Sequence, residues 1–337
     1  MEALICSTPN DLAIGHVSRP DCPDGWVRLK VRRVGICGTD YHIYEGKQPF
    51  LSYPRIMGHE IAAEVIDPNA AEGVAVGDIV IINPYLACGT CRACEKGRPN
   101  CCYNIEVLGV HRDGAMCEEI VVPARNLVPA NGLSLDACAT VEFLAIGAHA
   151  VARAQTRAGD RVLVVGAGPI GIGAGLFARL AGAEVTLLDI DRTRVDGANA
   201  IVGAPHTIVL DDTVSEKVAA LTDGFGYDVV FDATGNKHSM EASFAHVAHC
   251  GRYALVGVMS GDITFADPEF HKREMTLLAS RNALNEDFAR VAAHIAAGDV
   301  PLDRLITHRT TLHGAVEDLP RWSAERSTVI KAMISLD

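Results

Sequence analysis

The chain has 337 residues, 49% of them hydrophobic and 31 of them glycine, which is enough for two globular domains of ordinary size. A formal net charge of −12 with no basic block argues against nucleic acid or an anionic membrane surface as a partner. The eleven cysteines are odd in number and clustered, which suits reduced thiols and metal rather than a disulfide framework.

The N-terminal stretch MEALICSTPNDLAIGHV has no basic region followed by an apolar one, so no signal peptide is expected. No apolar run reaches the ~18 residues of a membrane span, and a cytoplasmic location follows as an expectation. Residues 1–36 predict short strands, with Val27, Leu29 and Val31 alternating against Arg28, Lys30 and Arg32. Gly35 to Glu60 then gathers Cys37, Thr39, Asp40, His42, His59 and Glu60. A thiolate and an imidazole on loops closing strands are good zinc ligands: Cys37 and His59 supply two, and Glu60 or the distant Glu142 can supply more. Fewer than four fixed ligands leaves a position for substrate, which marks a catalytic rather than a structural ion. Taken singly, Cys37 reads as a buried thiol and His59 as a satisfied core histidine; it is their common segment that favours zinc. Further strands are expected in IAAEVI and GVAVGDIVIINP, giving a compact β-rich, barrel-like unit.

Cys88, Cys91 and Cys94 follow at C-x2-C-x2-C spacing, with the pair Cys101 and Cys102 just beyond. Three thiols this close wrap around one tetrahedral ion, with Cys102 preferred to Cys101 as the fourth. A closed four-thiolate set is structural, and the lobe it knits covers about 86–104. A redox C-x-x-C pair and an iron–sulfur cluster are the rival readings. His111 sits at a loop tip in GVHRDG, either as a surface residue or as a wall of a substrate pocket. Residues 134–156 carry apolar positions at helical spacing, with Glu142 inside them. A buried, unpaired carboxylate is costly, so Glu142 either faces solvent or is held by something cationic.

At Asp160 the pattern changes to RVLVVGAGPIGIGAGLFARLAGAEVTLLDID, a strand, a glycine turn, a helix and a second strand. In the motif Gly166, Gly168, Pro169, Ile170, Gly171, the first glycine makes the turn, the second lets backbone approach a pyrophosphate, and the third lets helix pack on strand. Asp189 ends the second strand 21 residues beyond Gly168. It is placed to bond the adenosine ribose hydroxyls and repel a 2′-phosphate, which predicts NAD over NADP. Arg194 either steadies that ribose or simply solvates a helix start. The alternation continues through TIVLDD and a helix to Phe225, YDVVFDATG and a helix through His249, and GRYALVGV, a doubly wound parallel sheet. EDFARVAAHIAAGD predicts a helix and STVIKAMISL a strand.

GICGTDYH, GHE, the four-cysteine lobe and GAGPIG together resemble the zinc-containing medium-chain alcohol, polyol and threonine dehydrogenases over essentially the whole chain. The resemblance implies an α/β fold with a GroES-like β-rich catalytic domain over 1–148 and 283–337. A Rossmann NAD-binding domain over 149–282 is inserted within it. Two zinc ions per chain and NAD are the implied cofactors, and a homo-oligomer, dimer or tetramer, is expected. Glu142 stands where alcohol dehydrogenases proper place a cysteine, and so resembles the glutamate of the polyol and threonine branches that acts as a zinc or water ligand. Glu60 either ligates zinc directly in the absence of substrate or sits behind it and tunes the charge. By resemblance Thr39 begins a proton relay that passes through the nicotinamide ribose to His42. QPFLSYPRIMGHE, the GVHRDG loop and DPEFHKRE with SRNA and EDF bring the likeness closest to bacterial L-galactonate and L-gulonate 5-dehydrogenases. An anionic sugar acid is then the small-molecule substrate, oxidised at C5. A neutral polyol dehydrogenase, an L-threonine dehydrogenase, a zinc-free quinone reductase and a non-catalytic NAD-binding protein are the alternatives. Arg281 resembles a substrate-contacting arginine of the polyol branch. As a planar fork it suits the carboxylate, with Asn282 beside it; His271, Lys272 and Arg273 read as a solvated face.

Overall fold

Along the strand Trp26–Ile36, Val27, Leu29 and Val31 are buried while Arg28, Lys30 and Arg32 stay half-exposed, the period-two pattern of a sheet with one face in a core. The structure, a computed structural model, describes residues 1–48 and 51–336. Trp26–Ile36 is central to a seven-stranded sheet. From one edge the order is Leu127–Pro129, Ile79–Ile82, Glu60–Asp67, Trp26–Ile36, Lys331–Ser335 and Ile306–Thr311, and Glu119–Pro123 also pairs with Trp26–Ile36. All pairs are antiparallel except Ile306–Thr311 with Lys331–Ser335. Val27, Leu29, Val31, Ile61, Val80 and Ile120 meet in its core. Gly35 is paired with Glu60, and Ile36 with Ala332. These two registers bring three distant parts of the chain to one end of the sheet. A two-stranded ribbon, Tyr85–Leu86 with Glu106–Val107, brackets the cysteine-rich segment.

The second architecture is a six-stranded parallel sheet in the order His206–Val209, Glu184–Asp189, Arg161–Val165, Tyr227–Asp232, Val247–Leu255, Thr276–Ala279. Its central strands are the apolar ones, with Val162, Leu163, Val164, Val229, Val230 and Phe231 at 0% exposure, as strands covered on both faces require. The third strand in chain order lies at one edge, followed by the second, first, fourth, fifth and sixth. This doubly wound order places a switch point beside Arg161–Val165. Contacts divide the chain into a unit of Met1–Phe143 with Ala283–Asp337 and a unit of Leu144–Asn282. The β-rich unit and the parallel sheet together make the expected α/β architecture. Among the described residues no helix is long and apolar enough to cross a membrane.

Two expectations about elements need correction, and a third is refined. The helix expected through His249 is a short helix Lys237–Ala242 and a single 3-10 turn Ser243–His246, and the next strand already begins at Val247. Cys250 takes a left-handed φ of 58° within that strand and shifts its register against Tyr227–Asp232; such a bulge masks the period-two signal. The helix expected to reach Phe225 stops at Leu221, where Thr222 takes a φ of −125° and Asp223 a left-handed φ of 53°. The helical stretch 134–156 is two helices, Leu135–Ala139 and Val141–Arg153, parted at Thr140.

Candidate functional site

Cys37 leaves the strand Trp26–Ile36 and becomes the N-cap of a seven-residue helix, Gly38–Tyr44, where the sequence had suggested only a loop. A helix this short is marginal alone. It is held by Asp40, fully buried, whose carboxylate accepts the Cys37 N–H at 2.8 Å and the Gly58 N–H at 3.1 Å. One side chain therefore fixes the backbone at Cys37 and next to His59. Gly58 has a φ of +96°, and a Cβ there would stand 2.8 Å from Val34 Cγ1, so the turn that presents His59 requires glycine. Donor atoms of Cys37, His59 and Glu60 lie within 4.8 Å of one another.

Behind this group stands Lys331, a residue that the sequence reading passed over. Its side chain is 1% exposed, and Nζ donates to both Glu60 oxygens, at 2.5 and 2.7 Å. The signal was a lysine inside the apolar run VIKAMISL, where a charge needs a buried partner. Burial opposes its charge, but Glu60, Cys37 and Glu142 together raise its pKa above the ordinary value. Glu142, 3% exposed, opens the helix Val141–Arg153 and accepts a hydrogen bond from the Tyr85 hydroxyl. Its carboxylate therefore does not face solvent, and it lies outside the 4.8 Å group formed by Cys37, His59 and Glu60.

The acidic groups and the thiol around His59 dominate its electrostatics. Burial disfavours a charged His59, yet Cys37, Asp40 and Glu142 outweigh it and raise the imidazole well above its ordinary value. Burial and the Glu60 charge push Glu142 up to about 7, against the opposing effects of His59, Tyr85 and Lys331. His59 Nδ1 is buried without a hydrogen bond. Excess negative charge, an unpartnered imidazole nitrogen and a thiol fit a divalent cation of the zinc type.

The second cluster is of another kind. The sulfurs of Cys88, Cys91, Cys94 and Cys102 lie within 4.8 Å of one another, with separations of 3.5 Å for Cys91–Cys94, 3.8 Å for Cys91–Cys102 and 3.4 Å for Cys88–Cys102. A disulfide needs about 2.05 Å, whereas a tetrahedron with Zn–S of about 2.3 Å has edges near 3.8 Å, and the observed spacing matches the tetrahedron. Cys102 is buried and within the group, while Cys101 is exposed. Backbone N–H groups stabilise thiolate here: that of Thr90, above all, lowers Cys88 to about 6. Burial and the neighbouring sulfurs push Cys94 up to about 12, a repulsion that a central cation removes.

In the parallel sheet, Gly166 turns the chain at a φ of +98°. A Cβ at Gly171 would stand 1.8 Å from the Gly166 carbonyl oxygen, whereas a Cβ at Gly168 would meet nothing within 4 Å. Gly171 is thus glycine for packing, and Gly168 leaves an open cradle. Gly168 is the N-cap of the helix Pro169–Leu180, with Pro169 and Ile170 in its half-buried first turn, the arrangement that receives a pyrophosphate. Asp189 is buried; its carboxylate accepts the Ala167 N–H at 2.7 Å and the Asp191 N–H at 3.1 Å. A carboxylate has about four acceptor positions, so two remain for ligand hydroxyls. Arg194 is half-buried in the first turn of the helix Arg192–Val202.

Thr39 is half-buried and His42 exposed, both on the helix Gly38–Tyr44. Partial burial and the Arg326 guanidinium hold His42 below its ordinary pKa. Arg326 also pairs with Glu45 and lies 5.1 Å over the Tyr41 ring. His111 is exposed, and its Nδ1 accepts the Val107 N–H at 3.1 Å. Arg281 is exposed and Asn282, at a φ of 52°, half-buried. They follow the strand Thr276–Ala279, at the same carboxyl edge of the sheet as Gly166 and Asp189.

An alcohol dehydrogenase GroES-like domain family model matches residues 23–132, and a zinc-binding dehydrogenase family model matches residues 169–297. The chain is 41% identical over 340 residues to the L-galactonate-5-dehydrogenase of Escherichia coli K12, covering 99% of each protein. It is 33% identical over 297 residues to the 2-dehydro-3-deoxy-L-galactonate 5-dehydrogenase of Pseudoalteromonas atlantica T6c, covering 87% of this chain and 86% of that protein. The crystal structure of the alcohol dehydrogenase RspB from Escherichia coli CFT073, complexed with NADH, superposes with a TM-score of 0.91 at 28% identity. It covers 100% of this chain and 99% of that one.

Proposed function

The chain belongs to the zinc-binding medium-chain alcohol dehydrogenases, enzymes acting on CH–OH groups with a nicotinamide cofactor, and we propose that it oxidises the C5 hydroxyl of a six-carbon sugar acid of the L-galactonate or L-gulonate type, giving a keto-hexonate and NADH. The observation that carries the substrate class is the 41% identity to an L-galactonate-5-dehydrogenase across 99% of both chains.

In this reading Cys37, His59 and Glu60 hold the catalytic ion, with Glu142 as a further carboxylate that can serve it. Bound there, zinc supplies Lewis acidity, making the substrate hydroxyl a better proton donor. The protein's own groups do the rest. Asp40 keeps Cys37 and His59 in place through two backbone N–H groups. Thr39 and His42 share one helix, and His42, held below its ordinary pKa, stays neutral and can accept the departing proton. Cys88, Cys91, Cys94 and Cys102 hold a second, structural ion. Gly166, Gly168, Pro169, Ile170 and Gly171 receive the pyrophosphate. Asp189 takes the ribose hydroxyls and repels a 2′-phosphate, favouring NAD over NADP, with Arg194 beside it. Arg281 reads the substrate carboxylate, Asn282 a hydroxyl or amide, and His111 lines the substrate side.

The test is NAD and NADP reduction by the purified protein over a panel of L-galactonate, L-gulonate, other aldonates, neutral polyols and L-threonine. NAD-linked activity highest on the two hexonates is the expected result. A polyol or threonine as best substrate, or NADP used as well as NAD, overturns the corresponding assignment. Arg281→Ala should reduce kcat/KM on the hexonate by about tenfold to a hundredfold, the loss of a charge-assisted hydrogen bond. Activity on a neutral polyol should fall much less.

A further inference from the structure

Gly166 and Asp189 stand at the carboxyl edge of the parallel sheet, and a cavity of about 660 Å³ lies at its opposite, amino edge. Gly226 comes immediately before the strand Tyr227–Asp232. Ala248 and His249 lie near the start of Val247–Leu255, and Lys272 and Arg273 precede Thr276–Ala279. All of these line the cavity, and all belong to the unit Leu144–Asn282. The volume falls within the ~300–1,000 Å³ of small-molecule sites.

The lining is opposite in sign to the chain as a whole. The net charge is −12, yet the cavity sets Lys272 and Arg273 against Asp228. Asp228 is half-buried, and its carboxylate already accepts the Arg161 N–H at 2.8 Å. Arg273 is anchored, because its Nη1 donates to the Ala245 and Val247 carbonyls at 3.1 and 2.8 Å. That leaves Nη2 and Nε for a ligand. Glu269 approaches Arg273 and Lys272 only to 3.5 and 3.7 Å, with 53% of its side chain exposed, and such contacts are worth little. His246 is nine-tenths buried and lines the same cavity, and no described residue hydrogen-bonds its ring. Burial and Arg273 hold it below its ordinary pKa, so it is a neutral ring with one N–H to donate. Phe225 sits between Gly224 and Gly226, at φ of 80° and 84°. It borders the cavity with 77% of its surface exposed, a platform for a planar group.

We propose that this cavity is a second ligand site, apart from the dinucleotide edge, for a phosphate monoester carried on a planar ring, of the mononucleotide type. Lys272, Arg273 and His246 take the phosphate, and Phe225 takes the face of the ring. A carboxylate is satisfied by a single planar fork, whereas three donors from two segments suit a phosphate, with its greater charge and three acceptor oxygens. The inference stands independently of which alcohol the enzyme oxidises.

The experiment is calorimetric titration of the full-length, zinc-loaded protein with AMP, adenosine and inorganic phosphate, each at saturating NADH to fill the dinucleotide site. AMP should bind once per chain. Adenosine lacks the anion and phosphate lacks the ring, so each should bind about tenfold more weakly or worse. Lys272→Met should weaken AMP binding about tenfold. Phe225→Ser should weaken it roughly fivefold to a hundredfold, the loss of one stacked base. The two side chains are 65% and 77% exposed, so both variants should fold, and their turnover without AMP should match the parent. No saturable AMP binding, binding that vanishes once NADH is present, or binding unchanged in both variants overturns the proposal. Phosphate bound as tightly as AMP overturns it as well, because the ring then contributes nothing.

Discussion

The two candidate metal clusters meet the same chemical problem by opposite routes. The cysteine lobe draws its four sulfurs from the short segment Cys88–Cys102, which is largely exposed and bracketed by the ribbon Tyr85–Leu86 with Glu106–Val107. The Cys37 centre is assembled from residues 37, 59, 60, 142 and 331, with His59, Glu60, Glu142 and Lys331 all buried. Four like ligands close a coordination sphere. A mixed set, with one carboxylate tied to a lysine and another to a tyrosine, leaves it incomplete. The two clusters also differ in their surroundings, since Asp40, Gly35, Tyr85 and Lys331 each restrain a candidate ligand of the Cys37 group or the backbone beside it.

The largest separation between the two should come from Cys37→Ala or His59→Ala. Either is expected to reduce kcat/KM by about 10³-fold or more, since several kcal/mol of transition-state stabilisation are removed. One zinc per chain should remain and the melting temperature should change little. Metal analysis beside a kinetic assay checks it, and loss of both ions breaks the distinction drawn here. Cys91→Ala should do the reverse. It is expected to lower the melting temperature by on the order of 5 °C, because a closed site contributes folding free energy, while the folded fraction keeps its zinc at Cys37; calorimetry with zinc analysis decides.

Gly35→Ala is subtler. The new methyl takes the position of Glu60 Oε2, and affinity at the Cys37 centre should fall about tenfold with the cysteine lobe untouched, as competition with a zinc indicator will show. The smallest effect is on pH. His42 is held below its ordinary value by partial burial and by Arg326, against Glu45. A neutral imidazole accepts the proton, so activity falls as pH drops through the depressed pKa. Arg326→Met removes a cation and should move the acid limb of kcat/KM to higher pH. Glu45→Gln removes an anion and should move it lower. Both changes disturb the same packing, so shifts of the same sign would point to structure rather than charge.

The cysteine lobe was fully legible in the sequence because its four thiols sit within one contiguous stretch, and the dinucleotide loop because turn, cradle and packing glycine are consecutive. The helix Gly38–Tyr44 was not, since seven residues give no usable period and Asp40, its anchor, bonds to backbone that sequence cannot place. Lys331 was missed for a stronger reason: it meets Glu60 across 271 residues, and only the sheet register, Ile36 opposite Ala332 and Gly35 opposite Glu60, brings them together. Glu142 was recognised as a puzzle, a carboxylate in an apolar helix, but the Tyr85 hydroxyl that holds it belongs to another element.

That same separation between Glu60 and Lys331 gives the molecule an order of assembly during synthesis. A ribosome adding about 5–20 residues per second needs on the order of half a minute to pass from one to the other. Through that interval Glu60 is a carboxylate without its counter-ion, next to Cys37 and His59, and the strand that will seal the sheet has not been made. The cysteine lobe has all its ligands as soon as Cys102 emerges. On the proposed ligand reading, the nascent chain would take up its structural ion early and would complete the Cys37 centre only once residue 331 is in place, so an interrupted polypeptide would carry metal without the geometry to use it.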